Sequence, residues 1–162
     1  MGAVTTVTEH LAARGLQFDV VAHEAAYTSV DEARALGISA DEVLKTLALA
    51  TSQGRVLAVI PGSRRLDMRL VRKAVSDSHA RLLTEEELER EFPDIELGAL
   101  PPLGSLLGVP VYVDPEVLAH ETVVFAAGTQ RESVRIRTQE LFREEEVRVV
   151  SLTRHPRETK EA

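Results

Sequence analysis

Two apolar runs near the middle of the chain, residues 46–51 and 55–60, are separated by only three residues, Ser52, Gln53 and Gly54. Both runs suit β-strands, and the glycine can adopt the backbone conformation that a tight turn needs. Because so short a connection joins only antiparallel neighbours, we predict a β-hairpin here. Further strand-like segments alternate with helical ones, and this order favours a mixed, largely antiparallel sheet over repeated βαβ units. The predicted fold class is α+β.

The remaining elements are predicted from apolar spacing and from signals at their ends. Thr28 or Ser29 can cap a helix that Gly37 ends, and Thr84 with Glu87 forms the capping-box pattern of another helix. Further helices are predicted over residues 4–14, 39–44, 66–74 and 138–145, and further strands over residues 18–21, 109–113, 122–126, 133–137 and 147–152. Residues 97–108 contain three glycines and two adjacent prolines. They predict an ordered loop.

The chain has 162 residues, of which 44% are hydrophobic and 28% are charged. These values are typical of soluble globular proteins, and the length suits one domain. We predict a single domain over residues 1–152 and a polar tail over residues 153–162. No apolar run approaches the roughly 18 residues of a membrane-spanning helix, and the first ten residues lack the order of a signal peptide. We therefore expect a cytoplasmic protein without a membrane partner.

Several classes of chemistry are excluded by the residues that the chain lacks. It contains no cysteine, so disulfides, thiolate nucleophiles and cysteine-bound zinc or iron–sulfur clusters are ruled out. No two of its five histidines stand four residues apart, as a helical metal site requires. The glycine-rich patterns of nucleotide sites and the Gly-x-Ser-x-Gly pattern of serine hydrolases are also missing. We expect neither a metal nor a cofactor.

The charge of the chain is unevenly distributed. The formal net charge is -7, but residues 61–81 carry six basic and two acidic residues. We call five of the basic residues the basic stripe: Arg64, Arg65, Arg69, Arg72 and Lys73. Phosphates and other anions bind to cationic surfaces, so the stripe can orient an anionic ligand. The alternative is that the stripe pairs with the acidic segment 85–96.

Lys45 stands in an unusual place. It is the only lysine between Met1 and Lys73, and apolar residues surround it at a predicted helix-to-strand junction. A surface strand would tolerate it. The functional interpretation is that its ammonium points into a cleft and holds a phosphate, a ribose hydroxyl or a carbonyl oxygen. His23 lies just before Tyr27-Thr28 and is a second candidate, although a lone histidine at a strand end is more often structural.

Four motifs, taken in order, resemble the YbaK/prolyl-tRNA-synthetase-associated editing domain family. They are His23 with Tyr27-Thr28, the Val-Leu-Lys-Thr-Leu segment at 43–47, the segment 57–67, and the Gly-x-x-x-Pro-x-Gly loop at 98–104. The resemblance covers roughly residues 16–141. It implies a mixed sheet that is curled into a partial barrel with flanking helices.

Members of that family hydrolyse the ester bond between a wrongly attached amino acid and tRNA. The resemblance therefore implies a free-standing, trans-acting deacylase, of the type that edits tRNA-Pro charged with a small amino acid. Such editing exists because a small hydrophobic pocket discriminates poorly against smaller analogues. The implied partner is aminoacyl-tRNA, with an aminoacyl-tRNA synthetase as a second candidate and no role for DNA. With that partner, the basic stripe is the predicted tRNA-binding face.

The resemblance also implies roles for individual residues. Lys45, Gly98 and Gly104 are the implied catalytic residues, and the glycines would let backbone amides approach the ester and its oxyanion. The implied substrate-binding residues are Tyr27, Thr28, Thr46, Pro102, Gly128, Thr129 and Ser133. Where some branches carry a functional histidine or aspartate after Gly128-Thr129, this chain reads Gln-Arg-Glu-Ser. We therefore expect attack by a water or a substrate group that the bound nucleotide positions, without a classical triad.

Two other functions remain open at this point. The first is a non-catalytic tRNA- or nucleotide-binding protein that has the same fold. The second is an interaction module whose basic stripe binds an acidic partner. Incubation with a panel of mischarged tRNAs separates the three hypotheses.

Overall fold

The computed structural model describes residues 2–154 of the chain. Its helices are α1 (Ala3–Ala13), α2 (Ser29–Leu36), α3 (Met68–Ala74), α4 (Glu85–Glu91), α5 (Gly104–Leu107) and α6 (Thr138–Arg143). Its strands are β1 (Phe18–Ala22), β2 (Leu44–Thr51), β3 (Gly54–Pro61), β4 (Arg81–Leu82), β5 (Val111–Val113), β6 (Thr122–Ala126), β7 (Glu132–Arg137) and β8 (Val147–Val149). Within these residues, no helix has the length and apolarity to cross a membrane. The predicted α+β class is confirmed.

The strands form two sheets. The smaller sheet has the order β1-β7-β6 and is antiparallel, whereas the larger has the order β4-β2-β3-β5-β8. In the larger sheet β4, β2 and β3 are antiparallel, and β3, β5 and β8 are parallel. A mixed, largely antiparallel arrangement is therefore confirmed. The partial barrel is not confirmed, because both sheets of the described chain are open and only the bridge between Val43 and Val124 links them.

The predicted hairpin is the centre of the larger sheet. β2 and β3 pair over their full length, from Leu44 opposite Pro61 to Thr51 opposite Gly54. Side chains of a strand alternate between its faces, and here both faces are covered. One face joins the main core with Phe125 and Leu11, and the other packs beneath α3. Thus the hairpin separates two apolar cores.

The end signals of α2 and α4 acted as predicted, but the helix predicted over residues 39–44 is only a 3₁₀ turn, Ala40–Glu42, before β2 begins at Leu44. The Thr28 hydroxyl accepts from the Asp31 backbone amide at 3.1 Å, and Gly37 ends α2 in the left-handed conformation at φ 68°. Thr84 and Glu87 make the complete capping box of α4. The segment 97–108 is a loop over its first half and forms the short α5 in its second half. Strand β4 was not predicted, because two residues are too few to show a period.

The carboxyl end of the described chain differs from the prediction. Thr153, which we expected to begin a polar tail, is only 7% exposed. Its backbone amide and hydroxyl both donate to Asp114 Oδ2 at 3.0 Å, and Leu152 donates to the same oxygen at 2.9 Å. The folded part therefore includes Thr153, because a buried carboxylate fixes it. Arg154 is also described and lies 3.3 Å from Asp67, whereas residues 155–162 of the predicted tail lie outside the described residues.

The Asp114 contacts predict a large stability effect. Asp114 is 2% exposed, and its other oxygen accepts from the Glu116 amide at 2.9 Å. Asp114→Ala leaves these buried donors without an acceptor, so we expect the free energy of unfolding to fall by about 3 kcal/mol. Urea denaturation measures this change, with Asp94→Ala at an exposed position as the control. Equal stability of the two variants would contradict the assignment.

Candidate active site

Three loops that are distant in sequence meet beside the hairpin. They follow β1 (residues 23–28), α4 (residues 92–103) and β6 (residues 127–131). The Ala26 amide donates to the Gln130 carbonyl at 2.7 Å, the Glu96 amide to the Gly128 carbonyl at 2.9 Å, and the Gly128 amide to the Ala99 carbonyl at 3.1 Å. These bonds bring together the predicted site residues Tyr27, Gly98, Gly128 and Thr129.

Gln130 connects two of these loops. Its backbone amide donates to Glu96 Oε1 at 2.7 Å, and its side-chain amide donates to the Leu97 carbonyl at 3.0 Å. Next to it, the Thr129 hydroxyl accepts from the Arg131 amide at 3.3 Å. The residue that follows Gly128-Thr129 in this chain is therefore Gln130, and its side chain holds the loop over residues 92–103.

Two glycines enclose the segment that carries Tyr27. Gly98 has a φ of 79°, and a Cβ there would collide with the Tyr27 carbonyl oxygen. A Cβ on Gly62 would lie 2.6 Å from Ser29 Cβ. Tyr27 itself is 63% exposed, so its ring is accessible to a ligand, whereas the Thr28 hydroxyl is engaged as the cap of α2. The glycine at position 98 is thus required by the packing of the first loop.

Lys45 and Thr46 lie at the start of β2 and point in opposite directions. The register places Lys45 on the face of Ile60 and Thr46 on the face of Val59. Lys45 is half-buried, and no hydrogen bond or ion pair engages its ammonium within residues 2–154. Beyond Val43, the outer edge of β2 meets β4 only at Leu49 and Ala50 among the described strands. The edge beside Lys45 and Thr46 is therefore free to contact a ligand.

A cavity of about 150 Å³ lies on the Thr46 side of β2. Its wall is largely apolar, with Leu83, Leu88 and Phe92 among the lining residues, and Gly98 lies at the loop side. Lys45 is not part of the lining. The cavity thus joins Thr46 to the glycine loop, whereas Lys45 lies on the other face of β2.

The structure does not bring Gly104 to this place. Gly104 begins α5 and is buried against Val109 and Val111, which fill the space of a Cβ. It lines a different surface depression, together with Ser105 and Arg14. Pro102 is buried in the loop before α5. The catalytic role of Gly104 and the substrate role of Pro102 stay predictions, and packing accounts for the glycine.

Ser133 belongs to a buried chain of side chains. Its hydroxyl donates to Glu32 Oε2, and His23 Nε2 lies 2.8 Å from the same hydroxyl oxygen. His23 Nδ1 lies 2.7 Å from the Glu24 carbonyl, which can only accept. Ser133 is 0% exposed and Glu32 is 4% exposed. Sequence reasoning had weighed His23 but missed Glu32, because an acidic residue inside a helix is usually solvated.

The hydrogen bonds among His23, Ser133 and Glu32 limit where the protons of these side chains can lie. The single Ser133 hydrogen can go to Glu32 or to His23, but not to both. When Ser133 donates its hydrogen to Glu32, the contact between His23 and the Ser133 oxygen requires that His23 donates from Nε2. Burial raises the pKa of the Glu32 carboxyl, while the Ser133 hydrogen bond and the charge of His23 oppose the rise. This chain ties α2 and β7 to the loop that leads to Tyr27.

The basic stripe is heterogeneous. Arg64 has a side chain that is 17% exposed and lies 3.9 Å from Glu116, and Arg69 lies 3.8 Å from Asp67. Arg72 Nε donates to the Ala80 carbonyl at 3.0 Å. Arg65 and Lys73 are exposed and have no ion pair within the described chain.

The acidic segment 85–96 does not neutralise the stripe. Glu87 and Glu91 pair with Arg55 at 3.5 and 2.7 Å, and Glu87 also pairs with Arg81 at 2.8 Å. These bonds hold the pKa of Glu87 at about 2, mainly through Arg81. The five residues of the basic stripe therefore form no ion pair with this segment within residues 2–154, whereas Arg81, the sixth basic residue of segment 61–81, does. Within residues 2–154, no group of three or more His, Asp or Glu side chains is arranged to hold a metal ion.

The sequence model described as "Aminoacyl-tRNA editing domain" matches residues 23–144. This span contains the three loops, β2 and the cavity. The chain belongs to this family. In this editing domain, the Tyr27 segment, the Gly98 loop and the Gly128 turn lie around the free edge of β2.

Individual relatives agree with this assignment. A candidate Cys-tRNA(Pro)/Cys-tRNA(Cys) deacylase of Enterococcus faecalis, EbsC, is 31% identical over 97 residues. That match covers 59% of this chain and 58% of the relative, so the chain spans little more than half the length of this curated relative. A crystal structure of a candidate trans-editing enzyme for prolyl-tRNA synthetase is 27% identical, with a TM-score of 0.85 over 96% of this chain and 99% of that chain. A structure from a study of epitope grafting onto scaffold proteins has 26% identity and a TM-score of 0.84, over the same shares of the two chains.

The raised pKa of Glu32 predicts a pH-dependent stability. Because the folded-state pKa exceeds the unfolded-state value, this contribution is full below an ordinary pKa of 4.5 and is lost as the pH rises through the folded-state pKa. Glu32→Gln keeps an acceptor for Ser133 but cannot ionise. We expect the stability of the wild type relative to this variant to fall as the pH rises above about 4.5.

Chemical denaturation of both proteins across this range measures the difference. Glu121→Gln, at a side chain that is 83% exposed, is the control and should follow the wild type. If the stabilities of the wild type and Glu32→Gln change with pH in the same way, the pKa of Glu32 is not raised in the folded state.

Proposed function

We propose that this chain is a trans-acting deacylase that hydrolyses the ester of mischarged aminoacyl-tRNA, with tRNA-Pro carrying a small amino acid as the expected type of substrate. The observation that carries the proposal is the meeting of the three loops around the free edge of β2, next to a small apolar cavity. Family membership supports the reaction, and the names of the relatives support the class of tRNA. An aminoacyl-tRNA synthetase as a further partner stays a prediction.

The reaction requires little from the protein. An aminoacyl ester is already activated, so a site needs to orient water and to stabilise the oxyanion with fixed donors. The loop around Gly98 is held by bonds to Gly128 and Gln130, so its backbone is rigid before the substrate arrives. We propose that backbone donors of this loop face the ester. Gly128 and Thr129 complete the turn beside it.

Lys45 is the proposed cationic group of the site. Its ammonium has three donors, and none of them is engaged within residues 2–154. The lysine is half-buried at the edge of β2, where a ligand that crosses the strand would reach it. We propose that Lys45 binds a carbonyl, hydroxyl or phosphate oxygen at the aminoacylated end of the tRNA. The exposed ring of Tyr27 is proposed to contact the same end of the substrate.

A panel of mischarged tRNAs tests the proposed function. The full chain is incubated with tRNA-Pro and with other tRNAs that carry small amino acids, and the remaining ester is measured over time. Hydrolysis above the uncatalysed rate is the expected result. Binding of tRNA without hydrolysis would favour the non-catalytic alternative, and neither binding nor hydrolysis would overturn the proposal.

Removal of the Lys45 ammonium is expected to abolish deacylation and to preserve the fold. Lys45→Met keeps most of the aliphatic stem, and Lys45→Ala removes it. The ammonium forms no hydrogen bond or ion pair within residues 2–154. We therefore expect the free energy of unfolding of each variant to lie within about 0.5 kcal/mol of the wild-type value, as for a surface substitution. Deacylation rates and thermal denaturation of both variants provide the measurement. Full activity of Lys45→Met would show that Lys45 is an ordinary surface residue.

The free members of the basic stripe are expected to bind the tRNA backbone. Arg65→Gln with Lys73→Gln should raise KM and lower the salt dependence of tRNA binding by about two units on a double-logarithmic plot. Arg137→Gln with Arg143→Gln is the charge-matched control, because it removes two arginines that lie at the end of the smaller sheet and in α6. An equal effect of both double variants would mean that only net charge matters.

A further inference from the structure

The loop that presents Tyr27 is closed on itself by buried side chains. Its backbone leads from His23 through Tyr27 to Thr28, whose hydroxyl caps α2. The Thr28 carbonyl accepts from the Glu32 amide at 2.9 Å. Glu32 returns to His23 through Ser133, because both side chains contact the hydroxyl of this serine. We call this closed circuit the polar clasp, and it joins the two ends of the loop.

Three polar contacts of the clasp each need a hydrogen. They join Glu32 to Ser133, Ser133 to His23 Nε2, and His23 Nδ1 to the Glu24 carbonyl, the last at 2.7 Å. The Ser133 hydroxyl supplies one hydrogen and a neutral imidazole supplies one more, whereas a carboxylate supplies none. The clasp is therefore complete only when Glu32 or His23 holds one additional proton.

Loss of that proton opens one of the three contacts. If a neutral His23 keeps its hydrogen on Nδ1, the Ser133 hydroxyl can satisfy only one of its two neighbours. If the hydrogen moves to Nε2, the bare Nδ1 faces the Glu24 carbonyl, which cannot donate. Each alternative leaves two acceptors against each other. The loop that carries Tyr27 then loses one of its attachments.

The surroundings of the clasp leave this proton between its own side chains. Burial raises the pKa of the Glu32 carboxyl, while the Ser133 hydrogen bond and the charge of His23 lower it. On α2, Asp31 and Arg34 lie 3.8 Å apart and pair with each other. The other charged side chains of the elements packed against the clasp are exposed or half-buried, so solvent screens them: Glu24, Asp41, Glu42, Arg131, Glu132 and Arg135.

We propose that Glu32 is a positioning residue, which acts through Ser133 and His23 to hold Tyr27 in place for the substrate while the clasp keeps its additional proton. The inference rests on the proposed deacylase function, in which the exposed side chain of Tyr27 contacts the aminoacylated end of the tRNA. Glu32 and Ser133 are 4% and 0% exposed, so neither reaches the substrate directly. An open clasp must re-form one neutral hydrogen bond before the substrate binds, which corresponds to about a fivefold loss of affinity.

The direct test measures binding of tRNA-Pro whose 3′ end carries alanine through a non-hydrolysable amide, at pH values from about 5 to about 9. Wild-type affinity relative to Glu32→Gln is expected to fall about fivefold as the pH rises and the additional proton leaves. In Glu32→Gln the side-chain amide donates a hydrogen that does not titrate, so the clasp stays closed. The measured quantity is the ratio of the two dissociation constants, because ionisation of the probe and of Lys45 affects both proteins alike.

Ser133→Ala removes the hydroxyl at the centre of the clasp. At the acid end of the range it should bind the probe about fivefold more weakly than the wild type, and its affinity relative to Glu32→Gln should not change with pH. Ser78→Ala, at an exposed serine, is the matched control and should follow the wild type. If Ser133→Ala does not fold, Glu32→Gln decides the question alone.

Hydrogen exchange of the Ala26 amide reports on the loop without any ligand. This amide bonds the Gln130 carbonyl at 2.7 Å, so its protection depends on the position of the loop. Relative to Glu32→Gln, the protection of Ala26 in the wild type should fall as the pH rises. An equal change in both proteins would contradict the opening of the clasp.

Three binding results would overturn the inference: a constant ratio of dissociation constants over the whole pH range, a pH dependence of that ratio that survives in Ser133→Ala, and no binding of the probe by the wild type. Variants that differ from the wild type only in melting temperature would show that Glu32 has a structural role alone. Failure of the proposed function looks different. In that case the Ala26 protection and the probe affinity depend on pH through Glu32, but none of the mischarged tRNAs is hydrolysed.

Discussion

The pairing of β2 with β3 is the constraint on which the remaining structure depends. Eight consecutive residue pairs fix the register, and a shift by one residue would exchange the two faces of both strands. Since both faces are buried against different cores, such a shift would place Thr46 and Lys45 on the wrong sides. The hairpin therefore determines which side chain meets the cavity and which meets the opposite face.

Polar contacts link the loops around the hairpin to one another, while Phe92 and Leu103 pack one of these loops into the main core. Gln130 holds the loop that contains Gly98, and the chain of His23, Ser133 and Glu32 anchors the loop that leads to Tyr27. Buried polar networks of this type rigidify a site when every member is satisfied.

Features of the fold that depend on neighbouring residues could be predicted from the sequence. The hairpin, the capping box at Thr84 and the end of α2 at Gly37 are local, and all are present. The division into two sheets was not foreseen, since strand order depends on contacts between distant segments. β4 was too short to show a period.

The same distinction applies to the candidate site. The motifs identified the loops that meet, but not the reasons for their glycines: Gly98 accommodates the Tyr27 backbone, and Gly104 accommodates Val109 and Val111. Glu32 was missed because its partner Ser133 is 101 residues away in sequence. The opposite orientation of Lys45 and Thr46 follows from strand alternation, once the boundaries of β2 are known.

The enclosure of residues 27–29 by two glycines has a consequence for protein engineering. Gly62 and Gly98 belong to different loops, yet a Cβ on Gly98 would meet the Tyr27 carbonyl and a Cβ on Gly62 would meet Ser29 Cβ, two residues further along the same segment. A graft that transfers only the Gly98 loop from a relative would place a new loop against the original Tyr27 carbonyl. A Cβ at position 98 would collide with that oxygen, so a small difference in loop shape would cause a steric clash. The transferable unit of this editing domain is therefore discontinuous, and comprises the glycine-containing loops together with the segment that lies between them.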